Sequence, residues 1–410
     1  MTKLSQFNGY INDKNDIIVY NLNKNSCIRF KNIRDIEKVK RVLLHNEVFD
    51  FKKYGFIVDV NESLLCRENY MKIREDDSKI MVNIVMTYDC NCECTYCFEK
   101  IDSEKINYKH DISELDKIIQ YINKISYNKD LYINYFGGEP LLNYPDIFYI
   151  HDNLQGNKKL FENITTNGTL ISKDLSKHLI SRGIKSYQIT LDGPENIHNM
   201  RRPLKNGKSS WKYTIKGLLN LLEIDDDINL NIRINVDENN YKKLKSIIDE
   251  IPTKITEYKN TNIYLSPVFG NSKYNSDEIL KKRANMIIEL WKLIDKEKLS
   301  IKKSLPRFSP CTKDSLFGSF YIDLQSNIYS CGADFGNYKR IEGNLDKRNY
   351  IFEKRKSYFP DACYNCMFFY KCMGGCNYEK EACNIHCQYQ YLKKIYDYYF
   401  AHIKRDKEDL

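Results

Sequence analysis

The stretch Tyr88-Asp89-Cys90-Asn91-Cys92-Glu93-Cys94-Thr95-Tyr96-Cys97-Phe98 decides how the rest of the 410 residues is read. It follows a strand-like apolar run at 80–87, so it sits at a strand's C-terminal end, where barrel-type domains keep their active sites. Cys90, Cys94 and Cys97 are separated by three and then two residues. A short loop with that spacing can wrap three corners of a cubane cluster and leave the fourth iron open to a substrate or cofactor. A closed zinc site instead wants four ligands, normally in two separated pairs. Cys92 would be a fourth thiol, but it lies mid-loop between two other ligands and is expected to point elsewhere. The loop reads as an iron-sulfur site.

Outward from this loop, strand-like and helix-like segments alternate from 80 to about 297, the pattern of a parallel α/β domain. The strands are expected at 80–87, 131–135, 160–166, 186–191, 228–236 and 261–268. The fifth is the clearest: Ile228, Leu230, Ile232, Ile234 and Val236 alternate with polar residues. Leu115, Ile118, Ile119, Ile122 and Ile125 form a helical stripe, and 172–182, 211–223, 239–250 and 276–297 continue the helices. Six βα units predict a partial (β/α)6 barrel, too few for a closed eightfold one. Before it, strand-like stretches near 17–30, a helix near 33–45 and a strand near Phe56-Ile57-Val58 predict a small α+β module. After it come a hairpin, Tyr321-Ile322-Asp323-Leu324 with Ile328-Tyr329, and a loop-rich cysteine region that metal clusters would have to hold together. The expected domains are 1–79, 80–300, 301–390 and a C-terminal helix at 391–410.

Of 14 cysteines, four lie at 90–97, eight at 311–387, and only Cys27 and Cys66 stand apart. Such clustering suits metal ligation better than a disulfide framework, which belongs mainly to short exported chains. Cys27, Cys66 and Cys92 are left as buried small hydrophobes. The N-terminus MTKLSQFNGY lacks a signal-peptide core, and no apolar run approaches a membrane span, so a cytoplasmic enzyme without a membrane partner is expected. The formal charge of +9 falls to about +5 once cluster ligands are counted as thiolates. Lys and Arg are spread along the chain, which argues against a nucleic-acid partner.

The three-cysteine loop with Tyr96 before Cys97 resembles the radical S-adenosylmethionine (SAM) superfamily. The resemblance continues through Gly137-Gly138-Glu139-Pro140, Thr165-Thr166-Asn167-Gly168, Thr190-Leu191-Asp192-Gly193-Pro194 and Ile197-His198-Asn199-Met200-Arg201-Arg202-Pro203, at or following successive strand ends. Each alone could be a simple turn; their order makes coincidence improbable. The resemblance implies a 4Fe-4S cluster on Cys90, Cys94 and Cys97, with SAM bound by Tyr96, Gly137, Gly138, Glu139, Asn167, Thr190, Asp192 and Arg202. In it the GGEP backbone takes the methionine amino group, Thr190 contacts the cofactor and Arg202 takes its carboxylate. It also implies reductive cleavage to a 5′-deoxyadenosyl radical, hydrogen abstraction from a substrate, and a flavodoxin- or ferredoxin-type electron donor. His198 is expected to be structural.

Cys363-x2-Cys366-x5-Cys372-x3-Cys376, with Cys383 and Cys387 after it and Cys311 and Cys331 before it, resembles the SPASM extension. That resemblance implies two auxiliary 4Fe-4S clusters, three in all. Cys311, Cys331 and Cys376 would hold cluster I; Cys363, Cys366 and Cys372 would hold cluster II, completed by Cys383 or Cys387. Residues 312–330 contain no cysteine, so cluster I has an open iron unless Cys387 completes it. A rubredoxin-like or zinc-ribbon module is the plainer alternative. Sulfatase-maturating members carry an Asp directly after the cysteine matching Cys331; here Gly332 follows, with Asp334 two residues on. The N-terminal module is similar in element order to peptide-recognition elements, which add a leader strand at a sheet edge, although a structural lid would look the same. The expectation is a SPASM enzyme that installs a thioether or carbon-carbon crosslink in a ribosomal precursor peptide. The alternatives are a sulfatase-type maturase making formylglycine and an iron-sulfur electron carrier.

Overall fold

The computed structural model describes residues 2–45, 48–97, 111–268, 276–299, 301, 303, 305, 312, 318–346, 360–383, 385 and 387–402. Cys311 and Phe98 lie outside the described residues, as do the side chain of Cys383 and the last eight positions of the expected C-terminal helix.

The N-terminal part begins with the short strand β1 (Lys3–Leu4) and the meander β2 (Asn8–Asp13), β3 (Asp16–Asn21) and β4 (Ser26–Phe30), followed by helix α1 (Ile36–His45), strand β5 (Ile57–Val58) and helix α2 (Glu62–Arg74). β1 pairs with β5, and β3 pairs antiparallel with both β2 and β4. β3 reads Asp-Ile-Ile-Val-Tyr-Asn because both its faces are covered. Ile17 and Val19 join a small core with Val39, Leu43 and Phe56, while Tyr20 packs the other way into the main core. The strand at 8–13 and helix α2 are additions to the expectation; Asn and Gly break the apolar pattern of the first, and Leu64 and Leu65 of the second stay exposed.

The central sheet holds β6 (Lys79–Val85), β7 (Asp130–Phe136), β8 (Lys159–Thr166), β9 (Ser186–Thr190), β10 (Asn229–Val236) and β11 (Thr261–Pro267), side by side and all parallel. Helices α3 (Ile112–Ile125), α4 (Tyr144–Asn153), α5 (Lys173–Ser181), α6 (Glu195–Arg201), α7 (Ser210–Ile224), α8 (Leu244–Glu250), α9 (Thr253–Thr256) and α10 (Ser276–Lys296) fill the crossovers and follow the last strand. Side-chain oxygens of Asp111, Ser172 and Ser209 accept backbone N–H bonds at the starts of α3, α5 and α7, fixing where those helices begin.

The expected hairpin forms, β12 (Ser319–Asp323) and β13 (Asn327–Tyr329), but it is not separate from the sheet. β12 lies parallel beside β6, with Asp323 opposite Val85, and β13 and β14 (Gly343–Asn344) extend that edge. Helices α11 (Phe369–Cys372), α12 (Asn377–Cys383) and α13 (Tyr389–His402) close the chain. α13 packs on α10 and on the N-terminal meander, where Tyr20 stacks on Phe400 at 4.4 Å and its hydroxyl donates to Asp397 at 2.8 Å. Among the described residues no helix is long and apolar enough to cross a membrane.

Candidate active site

The loop after β6 is strapped at both ends. Gly138 and Glu139 donate their N–H groups to the carbonyls of Thr87 and Asp89, at 2.9 and 2.8 Å. Both glycines are required by this close approach: a Cβ at Gly137, where φ is +124°, would stand 2.3 Å from the Thr87 oxygen, and one at Gly138 would stand 2.2 Å from the Asp89 oxygen. On the far side Glu93, Thr95 and Lys205 make backbone bonds of 2.8, 2.9 and 3.0 Å with Pro203, Arg201 and Asn91, so residues 91–95 run against 201–205.

Within this frame Cys90, Cys94 and Cys97 line one cavity of ≈ 750 Å³, together with Tyr96, Gly137, Gly138, Asn167, Thr190 and Arg202. Cys92 lines it too and does not point away as expected. Its buried thiol sits between Cys90 and Cys94, which keeps it protonated, while that hydrogen bond lowers the Cys90 thiol and brings Cys94 down to about 6. The two flanking thiols are thereby favoured as thiolates, the form that ligates iron.

Two of the sequence-predicted residues stand behind the cavity wall. Glu139 is fully buried; its carboxylate accepts from Thr166 Oγ1 at 2.6 Å and from the N–H groups of Asn167 and Leu141 at 2.8 and 3.1 Å, tying the end of β7 to the end of β8. Burial raises its pKa, and these donors oppose the rise. Asp192 is also fully buried and accepts the Tyr96 hydroxyl proton. The Tyr96 oxygen accepts from Arg202 Nη1 at 2.6 Å and Asn235 Nδ2 at 3.0 Å, and Arg202 stands 3.7 Å from the Asp192 carboxylate. Asn167 completes the wall by donating to Asn91 Oδ1 at 2.7 Å and to Cys90 Sγ at 3.9 Å. His198 is buried behind this network and accepts the Asp192 N–H at 3.3 Å, a structural place.

Three participants were not singled out by the sequence. Asn235 and Arg233 face the cavity from β10, where the polar half of the alternation was the available signal. Asp323 is buried beside β6 and accepts from Tyr88 Oη at 2.8 Å, Tyr329 Oη at 3.1 Å and the N–H groups of Gln325 and Asn327, fastening the cysteine loop to the hairpin before Cys331. Only the distant pairing of β12 with β6 brings it there. At Gly332 a Cβ would stand 2.8 Å from the Tyr321 ring, so the space after Cys331 is already taken.

In the C-terminal region Cys363, Cys366, Cys372 and Cys387 lie close enough to influence one another's ionisation; burial, then these neighbours, pushes Cys372 up to about 12. Cys376 is half-buried. Helix α2 covers this region through Tyr70 against Tyr364 and Phe369, the Arg67 guanidinium 4.6 Å above Tyr364, and Cys66, whose buried thiol receives Gln6 Nε2 at 3.6 Å. Among the described residues no three or more His, Cys, Asp or Glu side chains converge as a single bare ion would need. Several soft thiols on one cavity wall form a donor set suited to an iron-sulfur cluster, which spans more space than one ion.

Comparison with known proteins agrees with this geometry. The model of the Radical SAM superfamily matches residues 84–251. The radical SAM cyclopropyl synthase TigE of Paramaledivibacter caminithermalis is 28% identical over 376 residues, 81% of this chain and 76% of that protein. The cysteine-type anaerobic sulfatase-maturating enzyme of Clostridium perfringens strain 13 is 24% identical over 354 residues, 77% and 94% of the two chains. Native anSMEcpe with bound AdoMet superposes with a TM-score of 0.61 at 20% identity, covering 78% of this chain and 97% of that one. Streptococcus suis SuiB bound to precursor peptide SuiA gives 0.51 at 15% identity, covering 92% and 95%. At those identities the likeness is one of fold. The chain carries a domain of the Radical SAM superfamily at residues 84–251. Within that class it is related to TigE and to the anaerobic sulfatase-maturating enzymes. The family implies SAM and a 4Fe-4S cluster.

Proposed function

We propose that this enzyme modifies a ribosomal precursor peptide, installing a thioether or carbon-carbon crosslink. The observation that carries the reading is the single cavity in which the Cys90, Cys94 and Cys97 thiols meet Gly137, Gly138, Asn167, Thr190 and Arg202. These thiols would hold the SAM-binding cluster, and the glycines leave room for the methionine moiety. A reduced cluster with SAM bound there would supply 5′-deoxyadenosyl radical chemistry, the abstraction of a substrate hydrogen atom. The protein's part is positional: the Tyr96, Asp192 and Asn235 bonds hold Arg202 in place, and Glu139 holds two strand ends in register. A half-enclosed site also keeps water from a reactive intermediate.

A peptide substrate is supported by a relative whose name describes sulfatase maturation, and by the fold shared with SuiB, solved with its precursor peptide. The N-terminal meander fits a peptide-recognition role. Among the described residues β4 pairs only with β3, which leaves an edge where a leader strand could add. We read the cysteine-rich C-terminal region as SPASM-like. Cys363, Cys366 and Cys372 would hold auxiliary cluster II, completed by Cys383 or by Cys387, which lies near enough to act on their ionisation. Cys311, Cys331 and Cys376 would hold cluster I. Gly332, closed off by Tyr321, disfavours formylglycine formation by a base at that position. The unpaired needs of a simple electron carrier would not include Thr190, Arg202 and the glycine cradle.

The test is anaerobic reconstitution with a short peptide encoded beside the gene. Mass loss of two hydrogens on the peptide, dependent on SAM and reductant, is expected. Unmodified peptide together with modification of a neighbouring sulfatase would overturn the crosslinking reading.

A further inference from the structure

We propose that Phe136 is a specificity-determining residue of the radical cavity, seating an aliphatic side chain of the substrate; the inference rests on the reading that this cavity takes SAM and a peptide. On β7, Leu131, Ile133 and Tyr135 are buried on the helix side, which turns Tyr132, Asn134 and Phe136 toward the barrel interior. Phe136 is the last residue of that strand, opposite Val85 of β6, and it lines the cavity together with Tyr88 and Gly137.

The cavity has two unlike walls. One carries Asn167, Thr190, Arg202 and Asn235, the polar groups read above as the SAM side. The other, where β6 and β7 meet the hairpin, is aromatic. The Phe136 ring stands edge-on to Phe335 at 5.4 Å and to Tyr321 at 6.2 Å, and Tyr88 stacks on Phe335 at 5.9 Å. Phe335, Tyr329 and Val85 are buried in the same cluster and hold these rings from behind. Tyr88 spends its hydroxyl on Asp323 at 2.8 Å, and Thr165, on the strand after β7, spends its own on Asn134 at 3.0 Å. What Tyr88 and Phe136 turn to the cavity is therefore carbon. A hydroxyl or carboxamide pressed against such a wall loses water without gaining a partner, whereas each methylene buried there is favourable. The two effects together favour an aliphatic side chain about tenfold or more over a polar one of the same shape.

The test measures binding of N-acetylleucine amide and N-acetylasparagine amide, whose side chains have nearly the same shape, to anaerobically reconstituted, SAM-loaded wild type, Phe136→Gln and Phe136→Leu by saturation-transfer NMR. SAM is titrated against each protein as well. Wild type is expected to bind the leucine probe about tenfold or more tighter than the asparagine probe. Phe136→Gln should lose or invert that preference, and Phe136→Leu should keep it while gaining affinity for the larger N-acetylphenylalanine amide relative to the leucine probe. SAM affinity should move less than about threefold in either variant. Wild type without a preference for leucine, or Phe136→Gln that keeps the preference in full, overturns the proposal. So does a SAM affinity that falls about tenfold or more in step with the preference, because it would place the ring against SAM rather than the substrate. Should Phe136→Gln misfold, as judged by melting temperature and iron content, Phe136→Leu decides: an unchanged ratio of phenylalanine to leucine probe overturns the proposal. Wild type that binds no SAM at all refutes the reading of the cavity itself, a result distinct from SAM-loaded protein that treats the probes alike.

Discussion

The two cysteine-rich regions are organised in opposite ways. Around Cys90, Cys94 and Cys97 the backbone is fixed by hydrogen bonds from four directions: the GGEP turn, the 201–205 segment, Asn167 and the hairpin that carries Asp323. That site is a preorganised cavity on a large sheet core. Around Cys363, Cys366 and Cys372 the described chain forms short turns and helices of four or five residues, and its order comes from aromatic packing against α2 and α13. The first region resembles an active site built before its cofactor arrives; the second depends on the helices packed against it.

The comparison can be broken at its strongest point. Cys94→Ala is expected to abolish 5′-deoxyadenosine formation while iron on the C-terminal cysteines persists, whereas Cys372→Ala should lower iron content and leave SAM cleavage measurable. Iron and product analysis on both variants checks this; equal loss of cleavage in the two would erase the distinction. Next in size, Gly138→Ala forces a Cβ into the Asp89 carbonyl, so a loss of about 2–4 kcal/mol, or local displacement of the cysteine loop with weaker SAM binding, is expected. Chemical denaturation and SAM titration measure the two outcomes.

Asp192→Asn comes third. It leaves Arg202 without its buried counter-charge, and a cost of about 1–3 kcal/mol with a higher KM for SAM should follow. An unchanged KM would remove Tyr96 and Asp192 from the positioning role.

Much of this was legible in the chain. The six central strands form where the apolar stretches predict them, most clearly β10, whose outward apolar residues alternate with inward polar ones, and the motifs at strand ends fall where the cavity is. The hairpin's residues were legible, but its partner was not: a parallel pairing between β12 and β6 leaves no local mark on either strand. Glu139 and Asp192 were found as motif members, yet their place behind the wall depends on Thr166, Asn235 and Tyr96, which meet them only after folding. Cys92 was misjudged because spacing along a loop does not fix where a thiol points. Arg233 was passed over as one polar position in an alternating strand.

The smaller effects sharpen the outer regions. Arg67→Ala, at an exposed pair with Asp361, should cost less than about 1 kcal/mol, yet it should speed amide exchange in 62–74 and 361–372 together. Exchange confined to one segment would uncouple α2 from the cysteine turns. A pH effect of similar size lies away from both sites. Glu162 accepts from Tyr135 and faces His151 Nδ1 at 2.6 Å, which holds the His151 pKa above its usual 6.5. The resulting stabilisation, on the order of 1 kcal/mol, is complete below that usual value and fades as pH rises through the raised one. His151→Gln should therefore be less stable than wild type in mildly acid buffer and nearly equal to it in alkaline buffer; a constant gap across pH would contradict the pairing.

The most direct measurement is the product of SAM incubated with dithionite and the anaerobically reconstituted protein. The account predicts 5′-deoxyadenosine and methionine from wild type and neither above background from Cys94→Ala. Wild type that binds iron on Cys90, Cys94 and Cys97 but leaves SAM intact under reduction would contradict it.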